Sequence, residues 1–90
     1  MFPFPLPPGS SEPIEIDAGI TIVGYQRMVT VLVPELEAVL AGAGWTTETS
    51  GGAHMGGMWI VNARNDSEQW TLTAMGVDDS AQLSITRDET

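Results

Sequence analysis

Residues 58–87, MWIVNARNDSEQWTLTAMGVDDSAQLSITR, decide the fold. Met58–Arg64 (MWIVNAR) is rich in β-branched and aromatic residues. Gln69–Met75 alternates Trp70, Leu72 and Ala74 with Thr71, Thr73 and Met75. Ala81–Arg87 alternates Leu83 and Ile85 with Gln82, Ser84 and Thr86. A period of two sends successive side chains to opposite faces, so each segment reads as a strand with one buried side. Asn65-Asp66-Ser67 and Gly76–Ser80 supply turn chemistry between them, because short polar side chains bond their own backbone. Strands joined this way form an antiparallel meander. The Thr-rich stretch Trp45–Ser50 adds a further strand before the glycine-rich loop 51–57, GGAHMGG.

Upstream lies the one helical pattern. Val29, Leu32, Val33, Leu36, Val39 and Leu40 recur at spacings of three and four, which gives a single apolar stripe. Thr30 is the expected N-cap. Pro34 leaves two readings, because proline is welcome only in a first turn. Either the helix starts at Thr30, or MVTVLV is strand and the helix is Pro34–Ala43. The apolar spacing favours the first. Glu35 and Glu37 fall in the early turns, where the helix dipole favours anions, and Gly42 and Gly44 end the helix.

Before the helix, Ile20, Ile22 and Gly24 alternate with Thr21, Val23 and Tyr25, predicting a strand from about Ile20 to Arg27. Ile14–Asp17 is either its continuation past a bulge or a short separate strand. Residues 1–13, MFPFPLPPGSSEP, hold five of the six prolines and cannot form a helix or a central strand. They read as an extended arm before one domain, 14–90. The expected architecture is α+β: one helix on a mostly antiparallel sheet of four to five strands, in β-α-β-β-β-β order, with an extended Pro-rich N-terminal arm. Its expected core is Ile20, Ile22, Leu32, Leu36, Val39, Leu40, Trp45, Ile60 or its neighbours Trp59 and Val61, Trp70, Leu72, Leu83 and Ile85.

The chain has 90 residues, with three Lys and Arg together, 12 Asp and Glu, no Cys and a formal net charge of −9. The three cations are all arginines, too few to neutralise a row of phosphates, so direct nucleic-acid binding is excluded. No apolar run approaches the ~20 residues of a membrane span. The arm lacks the basic start and continuous apolar core of a signal peptide, so a cytoplasmic or virion-associated location is expected over a secreted one. Charged residues make up 17% of the chain, below the ~25% of typical domains, so the imbalance comes from missing lysine and not from added carboxylate. A basic protein partner would still be steered toward such a molecule.

No combination of residues reads as a catalytic, cofactor or metal site. His54 is the one histidine, and it sits among glycines that hold nothing in register. Residues 51–57 lack the Lys-Ser/Thr of a phosphate loop and precede a strand, not a helix. Asp78-Asp79 and Asp66 with Glu68 read as turn residues before they read as acid–base pairs or calcium ligands.

Partner contacts are expected instead from Phe2, Phe4 and Leu6 of the arm, from His54 as part of a loop that orders on a partner, and from Tyr25 and Trp59. The last two would share an outward patch with Val61 if Ile60 faced the helix. The arm should lie on its own domain or on a neighbour, since its large side chains would otherwise form an exposed apolar patch. The expected role is a non-enzymatic interaction protein, in a protein complex or homo-oligomer. One version is a structural or accessory subunit, such as one from a phage virion, anchored by its arm. The alternative is a small acidic inhibitor of the immunity or anti-defence (anti-CRISPR) type blocking a basic partner. An enzyme built around His54 is the third. Under the arm-anchored reading, deletion of residues 1–8 abolishes assembly and leaves a folded monomer.

Overall fold

The structure, a computed structural model, describes residues 3–17, 19–52 and 57–88. Its elements are β1 (Ile14–Asp17), β2 (Ile20–Tyr25), α1 (Val29–Gly42), β3 (Thr46–Gly52), β4 (Met58–Arg64), β5 (Gln69–Val77) and β6 (Ser80–Arg87). The strands form one six-stranded sheet in the order β1-β2-β6-β5-β4-β3, with every neighbouring pair antiparallel. This is the expected α+β layering with more strands than the four to five anticipated, in β-β-α-β-β-β-β order. The extra element is Ile14–Asp17, which folds back on β2 as a separate strand with a register shift between Glu15 and Asp17. The helix carries the chain from β2 to the far edge, and the meander returns until β6 closes against β2. No helix among the described residues is long and apolar enough to cross a membrane.

The helix runs from Val29 with Met28 as N-cap, and no side chain caps it. Thr30 therefore lies inside the first turn and is not the cap. Pro34 sits in the interior, exposed to solvent, where it costs one backbone hydrogen bond. The buried stripe Leu32, Val33, Leu36 and Leu40 holds the segment helical despite it. The first turn holds no acid. Glu35 and Glu37 lie further on and make tertiary contacts instead.

At the other end, the Trp45 N–H donates to the Leu40 carbonyl at 3.0 Å and the Gly44 N–H to Ala41 at 3.1 Å. This is a Schellman stop, and it needs a left-handed residue, which Gly44 supplies at φ 92°. The reversal drives Trp45 directly into the core.

Alternation and register assign the helix-side face. Val23 pairs with Leu83, Leu83 with Ala74, and Ala74 with Trp59. Thr21, Ile85, Leu72 and Val61 form the adjoining row. A Cβ on Gly76 would stand 2.9 Å from Val29 Cγ1, so the missing side chain there lets the helix start settle on the sheet. Three core expectations fail, the first being Val39, which is half-buried and lies outside the core cluster. Ile20 and Ile22 lie half-buried on the opposite face, while Val23 and Tyr25 are buried. Both phases of β2 carry apolar residues, but Gly24 empties the Ile20/Ile22 phase, and Leu83 and Ile85 align with the other. Likewise Ile60 faces away from the helix, while Val61 is fully buried and Trp59 packs half-buried against the core. The outward patch of Tyr25, Trp59 and Val61 is thus overturned: all three face inward.

The arm folds onto its own domain. Phe4 is 4% exposed, with its ring edge-on to Trp45 at 5.3 Å and to Trp70 at 5.5 Å between centroids. Such aromatic pairs add about 0.5–1.5 kcal/mol beyond their area burial. Leu6 packs half-buried on the same cluster and Pro7 is fully buried. Trp70 Nε1 is a buried donor with no acceptor among the described residues. Deletion of residues 1–8 is accordingly expected to destabilise the domain itself, contrary to the detachable-arm reading. Phe4→Ala should lower unfolding free energy by about 3 kcal/mol in urea titration. An unchanged midpoint would mean the aromatic slot is empty of Phe4 in solution.

Candidate interaction surface

With the helix on one side, the second face of the sheet carries no element over it among the described residues. Its composition follows from the register. One row runs Ile14, Ile22, Ser84, Thr73, Ile60 and Ser50 across all six strands. A second runs Ile20, Thr86, Thr71, Asn62 and Glu48, and a third Gly24, Gln82, Met75 and Met58. The centre is short and hydroxylic, flanked by isoleucines on one side and by Ile60, Met58 and Met75 on the other. At ~4.8 Å per strand and ~3.3 Å per residue, such a face measures about 24 by 23 Å. That matches the scale of a standard protein interface, ~800 Å² of accessible surface per partner.

The two edges of the sheet differ. β3 reads Thr46-Thr47-Glu48-Thr49-Ser50-Gly51-Gly52 and exposes no large apolar side chain. β1 exposes Ile14 at 60% and Ile16 at 63%, the largest exposures of any large hydrophobic residue described. Beside β1 a groove of about 500 Å³ opens on the uncovered face. Ile14 and Ile22 form its apolar wall, Gly24 leaves its floor low, and Gln26 and Gln82 flank it.

The arm continues this edge inward. The Ser11 N–H donates to the Gly24 carbonyl at 2.8 Å, and the Gly24 N–H donates to Ser11 Oγ at 2.9 Å. Ser10 bridges to Tyr25 in antiparallel fashion. Tyr25 is 2% exposed and its hydroxyl donates to the Pro7 carbonyl at 3.0 Å. The Arg27 guanidinium stands 5.1 Å from the centre of the Tyr25 ring, donates to both Glu35 oxygens at 2.7 Å and also donates to the Pro8 carbonyl. One cation therefore ties arm, strand and helix together. On the far side, Thr49 Oγ1 donates to Glu37 Oε2 at 2.6 Å and fastens the helix to β3.

Of the expected contact residues, Phe4 and Tyr25 are spent inside the domain, Leu6 and Trp59 pack half-buried on its core, and Phe2 and His54 lie outside the described residues. The acidic turns behave as turns. Asn65 Oδ1 accepts from the Ser67 and Glu68 N–H groups at 2.8 Å, and Asp78 takes φ 55° in the two-residue β5–β6 loop. Glu68 stands 3.6 Å from Arg87. No group of three or more His, Asp or Glu poised to hold a metal occurs among the described residues. What the sequence reading missed is the isoleucine and methionine set of the uncovered face. The signal was there in β2 and β4, where neighbouring positions are both apolar, the mark of strands with contacts on two sides.

Burial raises the pKa of Tyr25 above its usual 10.0, the nearby Arg27 charge and a Ser10 hydroxyl oppose the rise, and Glu35 adds to it. The folded state thus holds this proton more tightly than the unfolded chain. Its contribution is fully present below pH 10 and is lost as pH climbs through the higher folded value. Denaturant midpoints measured from pH 8 to 12 should fall above pH 10, and Tyr25→Phe should flatten that fall while costing about 1 kcal/mol at neutral pH. An identical alkaline fall in the variant would assign it to other groups.

No protein-family model matches this chain, and no curated protein or solved structure matches it.

Proposed function

We propose that this chain works by docking to another protein, through the uncovered sheet face and its β1 margin, and not by catalysis. The observation that carries this reading is Ile14, solvent-exposed and paired with Ile22 on a face that no element covers among the described residues, with Ile16 exposed beside it at the bulge of β1. Exposed apolar surface of this kind, rimmed by polar groups, is what binding sites look like. The formal charge of −9 favours a basic partner, as in the acidic-inhibitor version. The accessory-subunit version, anchored by the arm on a neighbour as in a virion, draws less support, because Phe4 and Pro7 already fill this chain's own core. A virion subunit using the sheet face remains consistent with the proposal.

The test is affinity capture from a native source with the full chain against an Ile22→Ser/Ile60→Ser variant, both checked by thermal melting. A partner held by the parent and lost at least tenfold by the variant supports the reading. Capture unaffected by the substitutions, or no stoichiometric partner, overturns it.

A further inference from the structure

The two edges of the sheet differ in a way that bears on how a partner is held. Edge strands are hazards, and natural proteins blunt them with polar or charged side chains, short length or bulges. β3 is blunted by Thr, Ser, Glu and Gly. β1 is short and bulged but carries Ile14 and Ile16 into solvent. Protection alone asks for neither isoleucine. β1 is the terminal strand of the sheet, and among the described residues no strand pairs with its outer edge.

We infer that β1 accepts an extended, cationic segment of a partner protein as a seventh strand, a mode that deepens the docking reading and rests on it. Main-chain hydrogen bonds along β1 supply affinity, and side chains on alternate positions supply selectivity. Apolar positions of the incoming strand meet Ile14 and Ile16 and reach the groove beside Ile22 and Gly24. Basic positions answer the local charge, for half of the stretch Glu12-Pro13-Ile14-Glu15-Ile16-Asp17 is acidic, and Glu12 and Glu15 are exposed.

A second copy of this chain is the wrong occupant. Two β1 strands pairing antiparallel would bring Glu15 and Asp17 of both copies within a few residues of one another. Like charges at such range disfavour pairing, and each molecule adds a charge of −9. With no lysine and only three arginines, the chain cannot supply the complementary strand itself.

The experiment uses the full chain and synthetic peptides of defined sequence: acetylated, amidated Lys-Val-Lys-Val-Lys-Val, its Glu-Val counterpart and its Lys-Gly counterpart. Binding is read by amide chemical shifts and by hydrogen exchange along Ile14–Asp17. The Lys-Val peptide should bind at least tenfold tighter than either control, slow exchange at β1, and weaken severalfold between 50 and 500 mM salt. Ile16→Pro should abolish the slowed exchange, and Ile14→Ser/Ile16→Ser should weaken binding about tenfold if the proline variant proves unstable. Equal binding of the Lys-Gly peptide would reduce the effect to charge alone and overturn strand addition. Protection at β3, or a dimer of the chain through β1 in sedimentation, would overturn it as well. If the peptides fail while partner capture still depends on Ile22 and Ile60, the docking reading stands and only the seventh strand falls.

Discussion

A helix of 14 residues is about 21 Å long, and one such rod can shield a single side of a six-stranded sheet. That inequality of area governs the rest of this molecule. Leu32, Leu36 and Leu40 fill the middle of the helix side, and all three are fully buried. Among the described residues nothing comparable covers the other side, so its residues must tolerate water. The chain meets this with short hydroxylic side chains at the centre, Thr71, Thr73, Ser84 and Thr86, while larger apolar ones persist toward the margins.

The Pro-rich arm solves a second shortage of covering material, and it does so on the helix side. Trp45 and Trp70 are large, and the helix stripe does not reach around them; Phe4 completes the aromatic cluster. Proline is suited to this task because an extended proline-rich segment has little freedom to lose when it settles. The segment needs anchors in place of regular pairing, and it finds them in the Tyr25 hydroxyl, the Arg27 guanidinium and the Ser11–Gly24 exchange. Surface ion pairs are worth ~0–1 kcal/mol as a rule. The Arg27–Glu35 pair gains its importance from position, since the same guanidinium also reaches Pro8.

Much of this was legible in the sequence, and the limits have physical causes. The meander, the helix and the turn at Asn65 follow from strict alternation, a clean apolar stripe and turn chemistry. The side of each strand was harder to read. β5 and β6 have one apolar phase, so Leu72 and Ile85 were assigned correctly. β2 and β4 have two, and period alone cannot choose between Ile22 and Val23 or between Ile60 and Val61. The choice is made by neighbours far along the chain, chiefly Leu83 and Leu72, through pairing that no local window contains. The candidate surface inherited this error. Once the phase of β4 is reversed, Trp59 leaves the outer surface and Ile60 enters it. The inward course of the arm was open for a similar reason, because whether Phe4 meets its own domain or another depends on where Trp45 and Trp70 lie in space.

The strand order has a consequence for how this chain comes into being. β6 is the last of the six described strands, yet it sits between β2 and β5 in the interior of the sheet. During synthesis the helix can settle on β3, β4 and β5 as they emerge, but the β1–β2 hairpin has no strand to join until β6 arrives. Architectures dominated by such distant pairings assemble slowly and expose sticky intermediates on the way. A nascent chain that stalls before β6 would therefore present its bare hairpin to the cell's chaperones and proteases.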